Sequence, residues 1–220
     1  MFVPRAAQRD IMFLMDRAVK KISLKANRLI FINQDLMNAA FHYKEEIETS
    51  IREENNKGLT FKAMSCLIFS AFSLEANVNF IAYKIFDNWD DHERESLEEK
   101  LKLICDEIGV DFNKEKRPFQ TVTLLVRFRN SLAHGKPDSV SVEKEFIGDL
   151  NKVEEFKYPL ASWEEYCTSE NAINAFKDVN IIWHEMLIKA GIKVMETLSG
   201  GSSVASWKEA VTVERLATKT

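Results

Sequence analysis

Residues 60–86 read TFKAMSCLIFSAFSLEANVNFIAYKIF, a stretch in which apolar side chains recur almost all round a helix. A helix with no broad polar face has to be surrounded by other parts of the protein. Its aromatic residues are more typical of a hydrophobic core than of a platform on which bases stack. We therefore predict that this segment is the most buried helix of the fold and that the other elements pack around it.

Few residues that break helices occur along the chain. Its 220 residues include seven glycines and four prolines, and 45% are hydrophobic. Beside abundant Leu, Ala, Glu, Lys and Met, this composition predicts an all-α fold with long helices and short connections. We predict one helical domain over residues 1–198, then a flexible linker and tail over 199–220 that begins with SGGSS. The segment 205–217 has a Ser-x-x-Glu pattern at Ser206 and could be disordered, dock on its own domain or serve a partner.

Helical periodicity predicts further helices on both sides of residues 60–86. Ser96 and Glu99 form a capping-box pattern, which opens a helix that runs to about Ile108 before Gly109. The other predicted segments are one or two helices within residues 8–55, a short helix over 162–167, and a long helix over 171–198 that Gly191 interrupts at modest cost.

Two interpretations compete for residues 118–133. Apolar and polar side chains alternate over residues 122–128, a period of two that is typical of a strand. Leu125 and Leu132 extend the apolar pattern beyond that alternation, and Pro118 fits the first turn of a helix. We predict a helix.

The end of this helix carries the chemically most informative residues. Residues 127–137 read RFRNSLAHGKP, where Gly135 and Pro137 mark the point at which a helix stops. The guanidinium of Arg129 can grip a phosphate in two places, and the imidazole of His134 can take or give a proton near neutral pH. This pair suits phosphodiester chemistry, for which a metal is not required.

Spacing decides which of these groups can act together. Asn130 and His134 are four residues apart and share a helix face, whereas Arg129 and His134 are rotated by about 140° from one another. A single chain is therefore poorly suited to direct Arg129 and His134 at the same phosphate. Two chains that present this helix end to a common cleft would supply two arginines and two histidines, which predicts a homodimer.

The same residues also suit an ordinary helix end. A histidine near a helix C-terminus interacts favourably with the helix dipole, and the following glycine stops the helix. Asn130 could only hydrogen-bond locally, and Arg129 could form a structural ion pair with a carboxylate such as Glu75.

The segment RNSLAH, residues 129–134, resembles the signature of the HEPN superfamily, in which an Arg and a polar residue are followed by three residues and a His. Residues 70–77, SAFSLEAN, are similar to an earlier helix of that family that often carries an acidic residue in an apolar setting. Together the two matches span about 60–137. The resemblance implies a helical bundle, usually a homodimer, that is often a metal-independent ribonuclease in toxin–antitoxin, phage-defence or stress systems. The superfamily also includes inactive members that only bind.

Carried onto this chain, the resemblance implies an endoribonuclease that leaves 2′,3′-cyclic phosphate ends. Its expected catalytic residues are Arg129, His134 and Asn130. Glu75 and Asn77 would support them, with Glu75 fixing Arg129, and Arg127 and Lys136 could bind phosphate. An antitoxin or defence-system protein is an expected partner. Relatives that are modified by nucleotide transfer carry a Tyr two residues after the His, where this chain has Lys136, so we expect no antitoxin of that type.

Charge is distributed unevenly along the chain. Residues 113–137 hold six bases and one acid, whereas residues 87–107 hold nine acids and three bases, within a net charge of −4. Such runs are commonly solvated helix faces. The motif nevertheless lies in the basic part, which permits contacts with RNA phosphates.

The cysteines and histidines do not predict a metal or cofactor. Three cysteines at 66, 105 and 167 form no Cys-x-x-Cys pair, and they predict free thiols in a reducing compartment, which is the cytoplasm. The histidines at 42, 92, 134 and 184 lack the spacing of a zinc motif. The apolar run over residues 11–15 is too short for a signal or a membrane span, so we expect no membrane association.

Two other classes of function remain open from the sequence. One is a non-catalytic HEPN-like module that binds a nucleotide, RNA or a protein. The other is a plain helical dimerisation protein. Loss of the His134 imidazole separates a catalyst from these classes, because binding survives that loss better than cleavage does.

Overall fold

A computed structural model describes residues 19–92, 94–137, 139–143 and 159–211. These residues belong to two compact units. One is helical and spans Phe31–Leu198, and the other is a two-stranded ribbon formed by residues from the two ends of the chain. Predictions for residues 8–18, 144–158 and 212–217 fall outside the described residues.

The helical unit confirms the predicted helical character. Its described elements are α1 (Asn33–Arg52), α2 (Leu59–Ile85), α3 (Leu97–Ile108), α4 (Gln120–His134), α5 (Ser162–Tyr166) and α6 (Ser169–Lys189), with 3-10 turns at Trp89–His92 and Val194–Thr197.

Helix α2 is the centre of this unit, as residues 60–86 predicted. It packs against α1, α3, α4 and α6, and Leu67, Leu74 and Ile81 on it are fully buried. The helix is not buried all round, since Phe61 is 72% exposed. By length and composition α2 could also cross a membrane, but 56% of its most apolar window is buried inside the protein, and soluble core helices pass the same test.

The capping box at the start of α3 is confirmed. The Ser96 hydroxyl accepts a hydrogen bond from the Glu99 amide at 3.3 Å, while the Ser96 amide donates to Glu99 Oε2 at 2.8 Å. Two backbone N–H groups at the helix start are satisfied in this way.

Helix α4 excludes the strand interpretation of residues 122–128. Its inner side buries Val122, Leu125 and Phe128, and it ends at His134, where Gly135 takes a left-handed conformation with φ 51°. Pro118 precedes the helix instead of lying in its first turn, and its carbonyl accepts from the Thr121 amide at 3.2 Å.

The long helix predicted over 171–198 is confirmed as far as Lys189, where α6 ends, and is wrong beyond that residue. Gly191 adopts a φ of 68°, the Gly191 amide bonds the Ile188 carbonyl, and the Ile192 amide bonds the Leu187 carbonyl. These bonds form the motif that commonly closes a helix at glycine, with Ile192 partly buried against the core. Gly191 therefore ends the helix, whereas the sequence predicted a tolerated interruption.

The ribbon adds a small sheet to the predicted all-α fold. Strand β1 (Val19–Leu29) pairs antiparallel with β2 (Gly200–Val211), in a register that runs from Val19 opposite Val211 to Leu29 opposite Gly200. The fold is therefore mostly helical, with one small sheet.

Local sequence explains why β1 is not helical. Ile22 and Leu24 alternate with Ser23 and Lys25, a period of two that the helical interpretation of residues 8–55 overlooked. Among the described residues 19–55, α1 confirms a predicted helix.

The predicted flexible linker also contributes to this ribbon. Residues 200–203 pair with residues 26–29, and a side chain at Gly201 would meet the Asn27 carbonyl oxygen at 3.0 Å. Glycine at this position therefore permits the close approach of two strands, as well as conformational freedom.

Candidate functional site

The motif occupies the last two turns of α4. Phe128 anchors this part of the helix to α5, where its ring lies 5.8 Å from that of Tyr166. The opposite side of α4 is open to solvent and exposes Arg127, Asn130, Ser131 and His134. The apolar inner face of α4 thus fixes the helix and leaves the polar motif residues outside.

Arg129 turns toward α2, as the sequence predicted for a pair with Glu75. Its Nη2 donates to Glu75 Oε2 at 3.0 Å, and the side chains are 29% and 37% exposed, respectively. Among the described residues the guanidinium makes no second hydrogen bond. Glu75 therefore holds one edge of Arg129, and the remaining N–H groups stay available to a ligand.

His134 and Asn130 lie in a different environment from Arg129. Both are exposed, and neither forms a side-chain hydrogen bond within the described part of the chain. They line an open groove of about 620 Å³ between the end of α4 and the start of α5. The described residues that line it are Asn130, Ser131, Leu132, His134, Gly135, Lys136, Pro137, Ser162 and Trp163.

The predicted catalytic residues thus form two sets within one chain. Asn130 and His134 share a groove with Lys136, whereas Arg129 pairs with Glu75 and does not line that groove. This separation agrees with the helix rotation of about 140° between Arg129 and His134.

The two predicted phosphate-binding residues also separate. Lys136 lines the groove, but Arg127 does not. The pKa of Glu98 is lowered mainly by its hydrogen bond with Lys114, then by Thr123, and the charge of Arg127 adds a smaller effect. Arg127 is therefore close enough to Glu98 on α3 to stabilise that carboxylate.

Asn77 does not join the site. It follows Glu75 by two residues, which places it about 200° away around α2. Its side chain is 1% exposed and its Oδ1 accepts from Asn33 Nδ2 at 3.2 Å, so it links α1 to α2. The buried Asn77 Nδ2 and Asn33 Oδ1 have no hydrogen-bond partner in this part of the structure.

Folding neutralises much of the basic stretch over residues 113–137. Lys114 pairs with Glu98, Arg117 with Asp178, and Arg129 with Glu75. The other three bases, Lys116, Arg127 and Lys136, are exposed and form no ion pair among the described residues. Of the six bases in this stretch, three are therefore left without an acidic partner among the described residues.

The pair between Arg117 and Asp178 was not predicted from the sequence. Arg117 Nε lies 2.7 Å from Asp178 Oδ2 and Nη2 lies 2.9 Å from Oδ1, while the Thr121 hydroxyl donates to the same carboxylate. Asp178 is 2% exposed. Since 61 residues separate the two partners, no local pattern could have revealed a pair that ties the start of α4 to α6.

The environment of this pair perturbs a neighbouring phenol. Burial, assisted by the negative charge of Asp178, raises the pKa of Tyr166 to about 12, and Arg117 opposes this effect. The described contacts of Arg117 therefore support a structural role for this residue.

The three cysteines are free thiols, as predicted, and all are buried. Burial raises the pKa of Cys66 and Cys105 to about 12, which keeps these thiols protonated near neutral pH. Among the described residues there is no group of three or more His, Cys, Asp or Glu side chains that could hold a metal ion.

Comparison with known proteins finds no matching family model and no significant match to a curated protein or a solved structure. The resemblance to the HEPN superfamily therefore depends on the motif residues and their positions on α2 and α4.

Proposed function

We propose that this protein is a HEPN-like, metal-independent endoribonuclease that acts as a homodimer. The observation that carries the proposal is the end of α4, where Arg129 is held by Glu75 at 3.0 Å while His134 and Asn130 are exposed in an open groove. A permanently charged phosphate-binding group and a proton-transfer group are thus presented by the same helix end.

The proposed reaction requires only these side chains. His134 of one chain takes the proton from a ribose 2′-OH, and the 2′ oxygen attacks the adjacent phosphorus. Arg129 stabilises the negative charge that develops on the phosphoryl oxygens. His134 of the partner subunit donates a proton to the departing 5′ oxygen, and the products are a 2′,3′-cyclic phosphate and a 5′-OH. Asn130 positions the imidazole or a phosphate oxygen.

The geometry of a single chain supports the dimeric form of the proposal. Arg129 faces α2 and His134 faces the groove, so one helix end does not direct both groups at one phosphate. A two-fold axis near the end of α4 would place the Arg129 of one chain beside His134 of the partner subunit. Light scattering that shows a monomer at tens of micromolar, with cleavage retained, would exclude this shared site.

The deciding experiment is cleavage of mixed single-stranded RNA in EDTA. We expect cleavage with cyclic-phosphate ends, and none of DNA, which lacks the 2′-OH nucleophile. His134→Ala should lower the rate by about two to four orders of magnitude while the protein stays folded. His184→Ala is the matched control, since His184 is an exposed histidine on α6, and it should cleave at the wild-type rate.

The second candidate is a non-catalytic module that binds RNA, a nucleotide or a protein through the same groove. It is favoured by the divergence of Arg129 and His134 within one chain. This candidate predicts that RNA binds equally well with and without the His134 imidazole and that no cyclic-phosphate ends form. That result would exclude the enzyme proposal and support the binding module. The toxin–antitoxin, phage-defence or stress context and the cytoplasmic location belong to the same proposal.

A further inference from the structure

We propose that Trp163 is a base-stacking residue that selects single-stranded RNA at the groove beside His134. This inference rests on the proposed function and names its substrate subsite. Trp163 lies on α5, 29 residues beyond His134 in the chain, and both line the same groove. The sequence pattern around the motif gave no indication of this residue.

The placement of Trp163 suits stacking better than it suits core packing alone. The indole is partly buried against the hydrophobic core, so its orientation is restrained, yet it still contributes to the wall of an open groove. Helix α5 is in turn fixed to α4 by the contact between Tyr166 and Phe128. A preorganised aromatic face costs little conformational entropy when a base stacks on it.

The charge of the groove favours a polyanion. Among the described residues its lining includes Lys136 and His134 and contains no Asp or Glu, although acids outnumber bases in the chain as a whole. A second groove of about 640 Å³ beside α3 has similar size but opposite character, since it is lined by Glu98, Glu99, Asp106 and Asp111 with two lysines. Where the structure describes the lining of these two grooves, only the one at Trp163 combines an aromatic wall with a cation and no acid.

These features fit one nucleotide step of a flexible strand. A base stacks on Trp163, the adjacent phosphate lies near Lys136 and His134, and Asn130 and Ser162 offer hydrogen bonds at the edges. In a duplex the same base is stacked on its neighbours and its face is not accessible. Trp163 therefore selects an unpaired nucleotide next to the phosphate that is cut.

The test uses an oligonucleotide that binds but cannot be cleaved. A labelled single strand of about eight nucleotides with every 2′-OH methylated is titrated into the full-length protein, and affinity is read by fluorescence anisotropy. Trp163→Leu should weaken binding about ten- to hundredfold, and Trp163→Phe should restore most of it because an aromatic face is kept. A duplex of the same sequence should bind weakly to all variants.

A matched control removes a different tryptophan. Trp89 is also partly buried, and it stacks on Phe86 and His92 away from the groove, so Trp89→Leu should bind the oligonucleotide like the wild type. Quenching of tryptophan emission on binding should be present in the wild type and absent in Trp163→Phe. Circular dichroism should show that each variant retains its helices.

The outcomes separate this inference from the proposed function. Equal affinity of wild type and Trp163→Leu overturns stacking, whether or not RNA is cleaved. Weaker binding by Trp163→Leu with recovery by Trp163→Phe supports stacking, even if the wild type never yields cyclic-phosphate ends and the ribonuclease proposal fails. Absence of any RNA binding by the wild type overturns both.

Discussion

Two arginine–carboxylate pairs attach α4 to neighbouring helices, and they differ in how far water reaches them. Arg117, just before the helix, grips Asp178 with two N–H groups, and that carboxylate is only 3% exposed. Arg129, near the other end, donates once to Glu75, and both side chains remain about one-third exposed. The first pair fixes the helix, whereas the second leaves a guanidinium partly unoccupied.

This difference in exposure indicates which arginine can bind a ligand without destabilising the helix. A buried carboxylate has to keep its partner, because an unpaired charge in the interior costs several kcal/mol. A solvated pair contributes about 0–1 kcal/mol, so its members can exchange partners at little cost in stability. Arg129 can therefore bind a phosphate through its remaining N–H groups without loosening the fold, and Arg117 cannot leave Asp178 at so little cost.

The largest expected effect on stability is therefore at the buried pair. Arg117→Ala should lower the free energy of unfolding by about 3 kcal/mol, near the lower end for a broken buried pair because Arg117 itself is 48% exposed. Urea denaturation measures this change. Lys116→Ala, an exposed neighbour without an ion pair among the described residues, should change it by less than about 0.5 kcal/mol. Equal losses in both variants would mean that the Asp178 contact contributes nothing.

The exposed pair should show the opposite pattern, with a large effect on catalysis and a small one on stability. Arg129→Ala should slow RNA cleavage by about a hundred- to a thousandfold, the usual loss when one preorganised charge donor is removed. Arg129→Lys should recover little, because an ammonium cannot reproduce the planar fork. The free energy of unfolding should change by no more than about 1 kcal/mol. Arg52→Ala, an exposed arginine at the end of α1, serves as the control.

A stable Arg129→Ala protein with normal cleavage would show that Arg129 takes no part in catalysis. If Arg129→Ala unfolds instead, the pair with Glu75 contributes more to stability than its partial exposure indicates.

Local sequence was sufficient for the elements that are determined locally. The apolar pattern of residues 60–86 predicted α2, and the capping box at Ser96 predicted the start of α3, because side chains within one or two helical turns specify both features. The pairing of Arg129 with Glu75 was also foreseen, since the motif suggested a carboxylate on the earlier helix. The conformation of Gly191 is local too, but the same glycine can end a helix or be tolerated within it.

Features that depend on distant parts of the chain were missed. Strand β1 has a partner at the opposite end of the sequence, and Asp178 lies 61 residues from Arg117. Trp163 reaches the groove only because α5 packs on α4. The alternation over residues 22–25 indicates a strand locally, but a periodicity within one segment does not identify the distant partner that tertiary packing supplies.

A double-mutant cycle sharpens the comparison at the level of a single contact. If Glu75 acts only by orienting Arg129, Glu75→Ala should slow cleavage by roughly tenfold in the wild-type background and have no effect in Arg129→Ala. The stability coupling between the two side chains should be about 0.2–1 kcal/mol. Additive rate losses would give Glu75 a role in catalysis that is independent of Arg129, and this outcome would make the carboxylate a participant in the reaction.

The last prediction is a titration that reports on the buried pair. Burial first, and then Asp178, raise the pKa of Tyr166 from its ordinary value of 10.0 to about 12. The folded protein therefore holds this proton more tightly than the unfolded chain does, and the stability contributed below pH 10 should be lost as the pH rises from 10 through 12, at up to about 1.4 kcal/mol per pH unit. Tyr166→Phe should show a smaller alkaline loss than the wild type, which urea denaturation at several pH values measures.

The direction of this titration under mutation tests the arrangement of charges around Tyr166. Because Asp178 raises the pKa of the phenol and Arg117 lowers it, Asp178→Asn should move the tyrosinate absorbance change to lower pH and Arg117→Ala should move it to higher pH. Subtracting the Tyr166→Phe spectrum isolates this residue from the other tyrosines. The exposed pair offers no such reporter, so Arg129→Ala should leave the titration in place. A shift in Arg129→Ala as large as that in Arg117→Ala would show that the two pairs are coupled through α4, and the division between a structural and an available arginine would no longer hold.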